Sequence, residues 1–413
     1  MYNYPPMTGS ERRKVIILLG SLSAVGPFSV DMYLPGFAAI ARDLSTSVAS
    51  VGYSLTSYFI GISLGQLIYG PLTDRFGRKP PLMAGLGIYL AATLACLLSP
   101  SITWLVLARL VMALGACVGM VISRAVVRDL FPVRESASIF STLILVIAVS
   151  PILAPSVGGY VTSNFGWRVI FLILGIFSFA LAVVVWIGLP ESKSADRGVS
   201  LRIGDIAKRY YQVARKPTFG RYAVASGLAS GGMFAYIAGA PYTFMTVLGL
   251  SQTQFGWAFA LNAAGLIAGS QINRLALRRF DALRIARFCV GVQVGAGLCL
   301  TAAVATGTAS LPVMYLLLIT FMFCAGMANP DTTALALEPF SENIGSASAL
   351  LGSVQMVTAA LATGAVSLLA EVFSGGGSLP MTITILLCSS LSLLLLSRRT
   401  TLLHSDASMA RVS

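Results

Sequence analysis

Gly70-Pro71-Leu72-Thr73-Asp74-Arg75-Phe76-Gly77-Arg78-Lys79-Pro80-Pro81-Leu82 is a short charged connector between two long apolar stretches. A basic side chain at the centre of a bilayer costs roughly 2.5–3.5 kcal/mol on insertion scales. Arg75, Arg78 and Lys79 therefore hold this connector in water at one membrane face. Gly77 permits a tight turn, Gly70 permits close helix approach, and Asp74 is placed to cap a helix start. The local reading is a hairpin of two membrane-crossing helices.

The rest of the chain repeats that pattern. Its 413 residues are 56% hydrophobic and 10% charged, with a mean hydropathy of +0.83; a soluble domain carries about 25% charged residues. So much apolar surface cannot be buried within the chain, so lipid is the missing solvent. Runs of about 20 apolar residues cross about 30 Å of hydrocarbon. They are expected near 15–36, 48–70, 81–99, 103–126, 137–161 and 168–189, and again near 221–247, 254–274, 285–307, 311–331, 345–372 and 379–397. The expectation is an all-α membrane protein with twelve transmembrane helices. Met1–Ser10 lacks the features of a removable signal peptide, so the first span is expected to stay. Trp104, Trp167, Tyr222 and Trp257 stand at span edges, where interface anchors belong.

A net charge of +13 and a pI near 9.7 would suggest nucleic acid in a soluble protein. Placement gives another reason. Of the 28 lysines and arginines, all but Arg42, Arg168 and Arg109 fall in alternate connectors and the termini. That asymmetry places both termini in the cytoplasm and brings the basic residues to anionic lipid headgroups; no nucleic-acid partner is expected. The polar run 191–220 separates six spans from six, with a short interfacial helix expected over Ile203–Val213. The division is a bundle over 1–190, a cytoplasmic connector over 191–220 and a second bundle with its tail over 221–413. Six plus six around a central inside loop is a plan of secondary transporters.

Within the spans, charge is rare and informative. Asp31 lies inside the first apolar stretch and Arg109 inside the fourth. Each is about five residues below the outer end of its span, roughly 7–8 Å at the helical rise, so their depths permit a pair. Asp31 is a candidate proton or ligand site; a permanent ion pair locking the two helices is the structural alternative. Asp331 and Asn329 are expected to end the tenth span at the inner surface, and Glu371 to sit at the outer rim. Asn262 and Gln355 are either helix-to-helix contacts or cavity contacts. Met32, Tyr33, Tyr58, Met233, Tyr236 and Tyr242 offer soft and aromatic surface to an apolar cargo, or fill the core. The six cysteines form no CxxC pair and the lone histidine, His404, stands apart, so no metal site and no structural disulfide are expected. There is no GxxxxGK[ST], no HExxH and no nucleophile motif. The protein is not read as an enzyme or an ATP-driven pump, and no cofactor is expected beyond the proton gradient.

The 70–82 connector resembles the G-x-L-x-D-R-x-G-R-K signature of the major facilitator superfamily. Ser29-Val30-Asp31-Met32-Tyr33-Leu34-Pro35 is similar to the D-M-Y-L-P of the bicyclomycin-resistance (Bcr/CflA) drug exporters. Gly65-Gln66-Leu67-Ile68-Tyr69-Gly70-Pro71, Arg128-Asp129-Leu130-Phe131-Pro132 and the segment Ser226–Tyr242 continue the similarity over nearly the whole chain. Pro151-Ile152-Leu153-Ala154-Pro155-Ser156-Val157-Gly158-Gly159 resembles the antiporter motif G-P-x-x-G-G, with Ala154 in place of the first glycine. Arg109 matches the fourth-helix R-x-x-x-G, with Ala113 in place of the glycine.

The resemblance implies two six-helix bundles of the major facilitator fold, working by alternating access in a bacterial inner membrane as a monomer. It implies proton-coupled export of small amphipathic antimicrobials, with bicyclomycin, chloramphenicol and sulfonamides as the types. A rival is transport of a physiological small molecule such as a dipeptide or amino-acid derivative; a passive channel ranks below both. Helices one and four line the cavity in this superfamily, which makes Asp31 and Arg109 the implied proton-coupling pair. Gly70, Asp74, Arg75, Gly77, Arg78 and Lys79 with Asp129 are the implied conformational latch. Pro151, Pro155, Gly158 and Gly159 are the implied bending helix.

Overall fold

The computed structural model describes residues 9–340, 344–373 and 377–398; His404, Arg399 and Arg411 lie outside them. The described residues are helical. In chain order the helices are α1 Gly9–Asp31, α2 Phe37–Asp43, α3 Val48–Phe76, α4 Lys79–Leu97, α5 Ile102–Leu130, α6 Val133–Phe165 and α7 Arg168–Gly188. There follow α8 Ile203–Ala214, α9 Pro217–Pro241, α10 Gln252–Ala276, α11 Ala282–Ala305, α12 Leu311–Leu337, α13 Ile344–Val372 and α14 Leu379–Ser397. Local chemistry sets several starts. Ser47 accepts from Ser50 N at 3.0 Å to open α3, and Ser251 with Gln254 forms a reciprocal capping box at α10.

Among the described residues, eleven helical stretches are long and apolar enough to cross a membrane. The long helix left out is α10, which carries Gln252, Gln254, Asn262, Gln271, Asn273 and Arg274. It nevertheless packs on α6 and α12 along one side and leaves Trp257, Leu261, Ile272 and Leu275 exposed on the other. The expected interfacial helix in the connector is α8, lying between the arginine-rich ends of the two groups of long helices.

Several expected boundaries shift. The first span does not run unbroken over 15–36: it begins by Gly9, breaks after Asp31 and resumes in α2. The tenth span does not end at Asn329–Asp331. Helix α12 runs through Pro330 to Leu337, since one proline removes only one ladder bond. Asp331 is therefore a second interior carboxylate, buried and accepting from Asn273 Nδ2 at 2.7 Å. Trp104 and Trp257 are exposed on the outer surface as anchors should be, but Trp167 and Tyr222 are buried. Gly70 has no close helix neighbour; the tight approaches of α3 to α5 fall at Gly61 and Gly65.

The α1–α7 and α9–α14 groups meet mainly along α3–α13 and α6–α10. The α3–α13 seam is a polar ladder. Glu371 accepts from Ser50 Oγ at 3.3 Å and Tyr53 Oη at 3.1 Å; further along, Thr56 meets Thr363 at 3.0 Å and Ser63 meets Ser353 at 2.8 Å. Hydroxyl pairs hold two helices together while exchanging partners at small cost, which suits a seam that must slide.

Candidate functional site

The break in the first helix has a covalent cause. Pro35 has no N–H to donate to the carbonyl of Asp31 four residues earlier. The chain leaves the α-helix in a tighter turn, with Tyr33 N bonded to Val30 O at 3.2 Å and Gly36 N to Tyr33 O at 3.0 Å. Asp31 thus ends α1 at a point where the backbone already departs from regularity. It is only 4% exposed, too little for water to solvate a carboxylate fully. Its Oδ2 accepts from Ser150 Oγ of α6 at 3.0 Å.

Ser150 immediately precedes Pro151 of the antiporter-like stretch, so the carboxylate is tied to the helix expected to bend. The same helix carries Gly158, where a Cβ would stand 2.1 Å from the Met32 carbonyl oxygen. A Cβ on Gly159 would meet the Gln252 carbonyl oxygen, in the other group of helices, at 2.9 Å. Neighbouring glycines therefore press α6 against the helix break on one side and against α10 on the other.

From the α9–α14 group, Tyr236 and Asn262 come to this region. Both are buried, and Tyr236 stacks on Phe259 with ring centroids 5.6 Å apart. The Asp31 carboxylate is close enough to act electrostatically on Tyr236. The Tyr236 hydroxyl and the Asn262 side chain lie close enough to interact with each other, and Asn262 Nδ2 donates to Ala258 O at 3.1 Å, but neither Tyr236 Oη nor Asn262 Oδ1 closes a full hydrogen bond among the described residues. Buried polar atoms that close no full hydrogen bond are groups with capacity left for a ligand.

Arg109 does not join this constellation, which corrects the expected pairing with Asp31: among the described residues no hydrogen bond or ion pair links them. Its guanidinium is fully buried between two aromatic rings, with Cζ 4.5 Å from the Tyr33 centroid and 4.2 Å from the Tyr58 centroid. Nη1 donates to Ser29 O at 2.8 Å, while Nε and Nη2 have no hydrogen-bond partner among the described residues. The turn after Asp31 sends its carboxylate toward α6 and leaves Tyr33 over the arginine. Equal depth was a correct reading of two heights; it said nothing about the angle around each helix.

The same geometry relocates the aromatic candidates. Tyr33 and Tyr58 do not line an open cavity. Tyr33 Oη meets Ser54 Oγ at 2.9 Å and Tyr58 Oη donates to Gly26 O at 3.2 Å. Met32 is buried beneath Gly158. Met233 and Gln355 line a cavity of about 300 Å³ between α9, α12 and α13, with Ser230, Asn329 and Thr333. Gln355 also links helices there, donating to Ser226 Oγ at 2.9 Å and Thr333 Oγ1 at 3.3 Å. Tyr242 lines a separate cavity of about 270 Å³ at the end of the bundle away from the arginine-rich loops.

At the arginine-rich end, the connector residues converge. Gly77 has φ +85°, the left-handed turn that separates α3 from α4. Arg78 Nε donates to Asp129 Oδ2 at 2.8 Å, and Nη1 reaches Asp74 at 3.3 Å and Thr73 Oγ1 at 3.0 Å. Asp74 does not cap α4: it lies in the last turn of α3 and takes Lys193 Nζ at 2.8 Å. Arg75 does not reach Asp129 but donates to Val199 O at 2.8 Å, and Lys79 Nζ donates to Trp186 O at 2.8 Å. Glu191 was not singled out in the sequence. Its carboxylate takes the N–H groups of Arg78 and Lys79 at 2.6 and 3.0 Å, and Ser192 Oγ donates to Asp129 at 3.2 Å. The signal was present as a lone acid just after the sixth span, but only the fold brings it to the start of α4.

The sequence pattern of the Major Facilitator Superfamily matches residues 19–363. The chain belongs to the major facilitator superfamily. Relatives include the "Uncharacterized MFS-type transporter YdgK" of Bacillus subtilis, 36% identical over 85% of this chain and 87% of the relative. The "Bicyclomycin resistance protein homolog" of Haemophilus influenzae is 31% identical over 84% and 87%, and "Multidrug resistance protein D" of Escherichia coli is 28% identical over 90% and 92%. Within the superfamily the chain sits in this drug-resistance branch. In fold it is similar to a bacterial homologue of the lysosomal transporter Spinster in its inward-facing, occupied conformation, with a TM-score of 0.73 at 17% identity over 95% of this chain and 98% of that one. As a superfamily member it is a transporter rather than an enzyme, a multi-pass protein of a bacterial inner membrane.

Proposed function

We propose that this facilitator exports small amphipathic antimicrobials, of the bicyclomycin, chloramphenicol or sulfonamide type, in exchange for protons. It does so as a monomer with twelve spans, α10 included, in two bundles of six joined by the 191–220 connector, with both termini in the cytoplasm. The observation that carries the reading is the placement of Asp31. A nearly dehydrated carboxylate is held by one hydroxyl at a helix break, within electrostatic reach of Tyr236 of the opposite bundle. Such a group changes its charge state when the water around it changes. Alternating access alters that water, so the proton and the drug can be loaded on opposite sides.

Arg109 acts differently from the pairing expected of it. It stiffens the turn after Asp31 through Tyr33 and Ser29 and adds a positive field to the first bundle. The Arg78–Asp129–Asp74 cluster is the latch, made in one state and broken in the other.

The test uses everted membrane vesicles with an acidified lumen. Adding chloramphenicol or bicyclomycin should release protons with the wild-type protein and not with Asp31→Asn. A susceptibility panel in an efflux-deficient bacterium then ranks cargo. If no compound's tolerance changed, the drug reading would give way to transport of a physiological dipeptide or amino-acid derivative; flux without proton movement would point to a passive pathway.

A further inference from the structure

A further cavity lies at the arginine-rich, cytoplasmic end, beside the latch residues Gly70, Asp74 and Arg78, which form part of its wall. It has a volume of about 270 Å³ and is enclosed by α3, α5, α8 and the start of α13. Arg124 and Arg128 of α5 and Arg209 of α8 line it. None of the three makes a hydrogen bond or ion pair among the described residues. Arg124 and Arg128 are four residues apart on one helix face, where like charges destabilise rather than support each other. Among the described residues the one carboxylate lining the cavity, Asp74, is already taken by Lys193 at 2.8 Å and Arg78 at 3.3 Å.

The facing wall is chemically matched. Gly345, Ser346 and Ser348 lie within the first five described residues of α13. Tyr210 of α8 closes the rim, its hydroxyl donating to Leu67 O at 3.0 Å. That bond uses the hydroxyl's one proton, so Tyr210 ties α8 to α3 and is not itself a donor to the anion. Three guanidinium groups and serine hydroxyls border a space large enough for a tetrahedral oxyanion and the first atoms attached to it.

We propose that this cavity binds a phosphate-type oxyanion, carried by a small molecule or by an anionic lipid headgroup, on Arg124, Arg128 and Arg209. The anion would bridge the first bundle and the connector to the start of α13, and so hold the cytoplasmic side together. The site is independent of what the transporter exports.

The experiment is thermal unfolding of the full-length protein, first in a neutral detergent. Inorganic phosphate is compared with chloride at equal ionic strength. The purified protein is then placed in phosphatidylcholine nanodiscs with and without phosphatidylglycerol. A rise of about 2 °C in the unfolding midpoint with phosphate, lost in Arg124→Gln/Arg128→Gln, supports a soluble anion. A rise confined to phosphatidylglycerol discs and lost in the same variant supports a headgroup. Arg278→Gln/Arg279→Gln removes equal charge from a connector at the same end and should keep the response. Equal loss in both double variants would reduce the effect to general basicity and overturn the proposal, as would no response to either anion in the wild type.

Discussion

The Ser150 hydroxyl donates to the Asp31 carboxylate over 3.0 Å, and through this bond the break in the first helix is joined to the helix that bears Pro151 and Pro155. The two residues are 119 positions apart. Each stands where its helix has lost a backbone bond to proline or is about to. A change in the charge of Asp31 therefore acts on two flexible points at once, which gives the proposed proton a mechanical handle on the bundle.

Asp31→Asn keeps the size of the side chain and can still accept from Ser150, so folding should be retained. Drug export driven by a pH gradient should fall at least about tenfold, corresponding to some 1.4 kcal/mol or more of lost driving interaction. Ser150→Ala removes one hydrogen bond to a charged group, worth about 1.5–3 kcal/mol. It should weaken coupling without abolishing it. Proton-release traces from everted vesicles check both; full coupling in Asp31→Asn would eliminate the proposed role.

The aromatic box around Arg109 can be separated from its charge. A desolvated cation over an aromatic face is worth about 2 kcal/mol. Arg109→Lys preserves the charge but loses the flat stacking surface between Tyr33 and Tyr58. It should lower the thermal unfolding midpoint and impair export, while Tyr58→Phe, which keeps the ring and loses only the bond to Gly26, should be close to wild type. Export in Arg109→Lys at wild-type rates would show that the box is unimportant.

Much of this was legible from residue types, because a membrane constrains the chain strongly. Connector charge, span length and the D-R-x-G-R-K turn predicted helices and their ends to within a few residues over most of the chain. The breaks in that reading share one cause. Hydropathy reports depth and not azimuth, so Asp31 and Arg109 were matched in height although their side chains point to different helices. Tyr33 and Tyr58 read as cavity surface for the same reason. Pro330 read as a terminus because its cost is local, whereas the helix continues on packing. Glu191 was missed because its partners, the N–H groups of Arg78 and Lys79, lie more than 110 residues away in sequence.

The latch should respond asymmetrically to its two acids. Arg78 is nearly buried and leans on Asp129 through Nε, whereas Asp74 is shared with Lys193 and more exposed. Asp129→Asn should therefore shift the balance of inward- and outward-open states more than Asp74→Asn. Glu191→Gln, which weakens the hold on the start of α4, should act in the same direction as Asp129→Asn. Distances between spin labels at the ends of α5 and α13 would read the shift, and a larger effect from Asp74→Asn would contradict the assignment.

Gly158 and Gly159 offer the sharpest geometric test, since adjacent glycines face different partners. At Gly158 an added methyl would stand 2.1 Å from the Met32 carbonyl oxygen, a backbone atom that cannot turn aside. Gly158→Ala must push α6 away from the helix break, and with it Ser150 from Asp31; overpacking of this kind costs about 1–3 kcal/mol. At Gly159 the methyl would meet the Gln252 carbonyl oxygen at 2.9 Å, across the line between the halves. Gly159→Ala should leave the first bundle intact and disfavour the closed approach of α6 to α10. The first variant should lose stability and coupling together, while the second should retain stability and lose transport rate. Gly188→Ala, which meets nothing within 4 Å, is the neutral control. Unfolding midpoints measured beside initial export rates distinguish these outcomes, and equal behaviour of Gly158→Ala and Gly188→Ala would show that the contact with Met32 is not required.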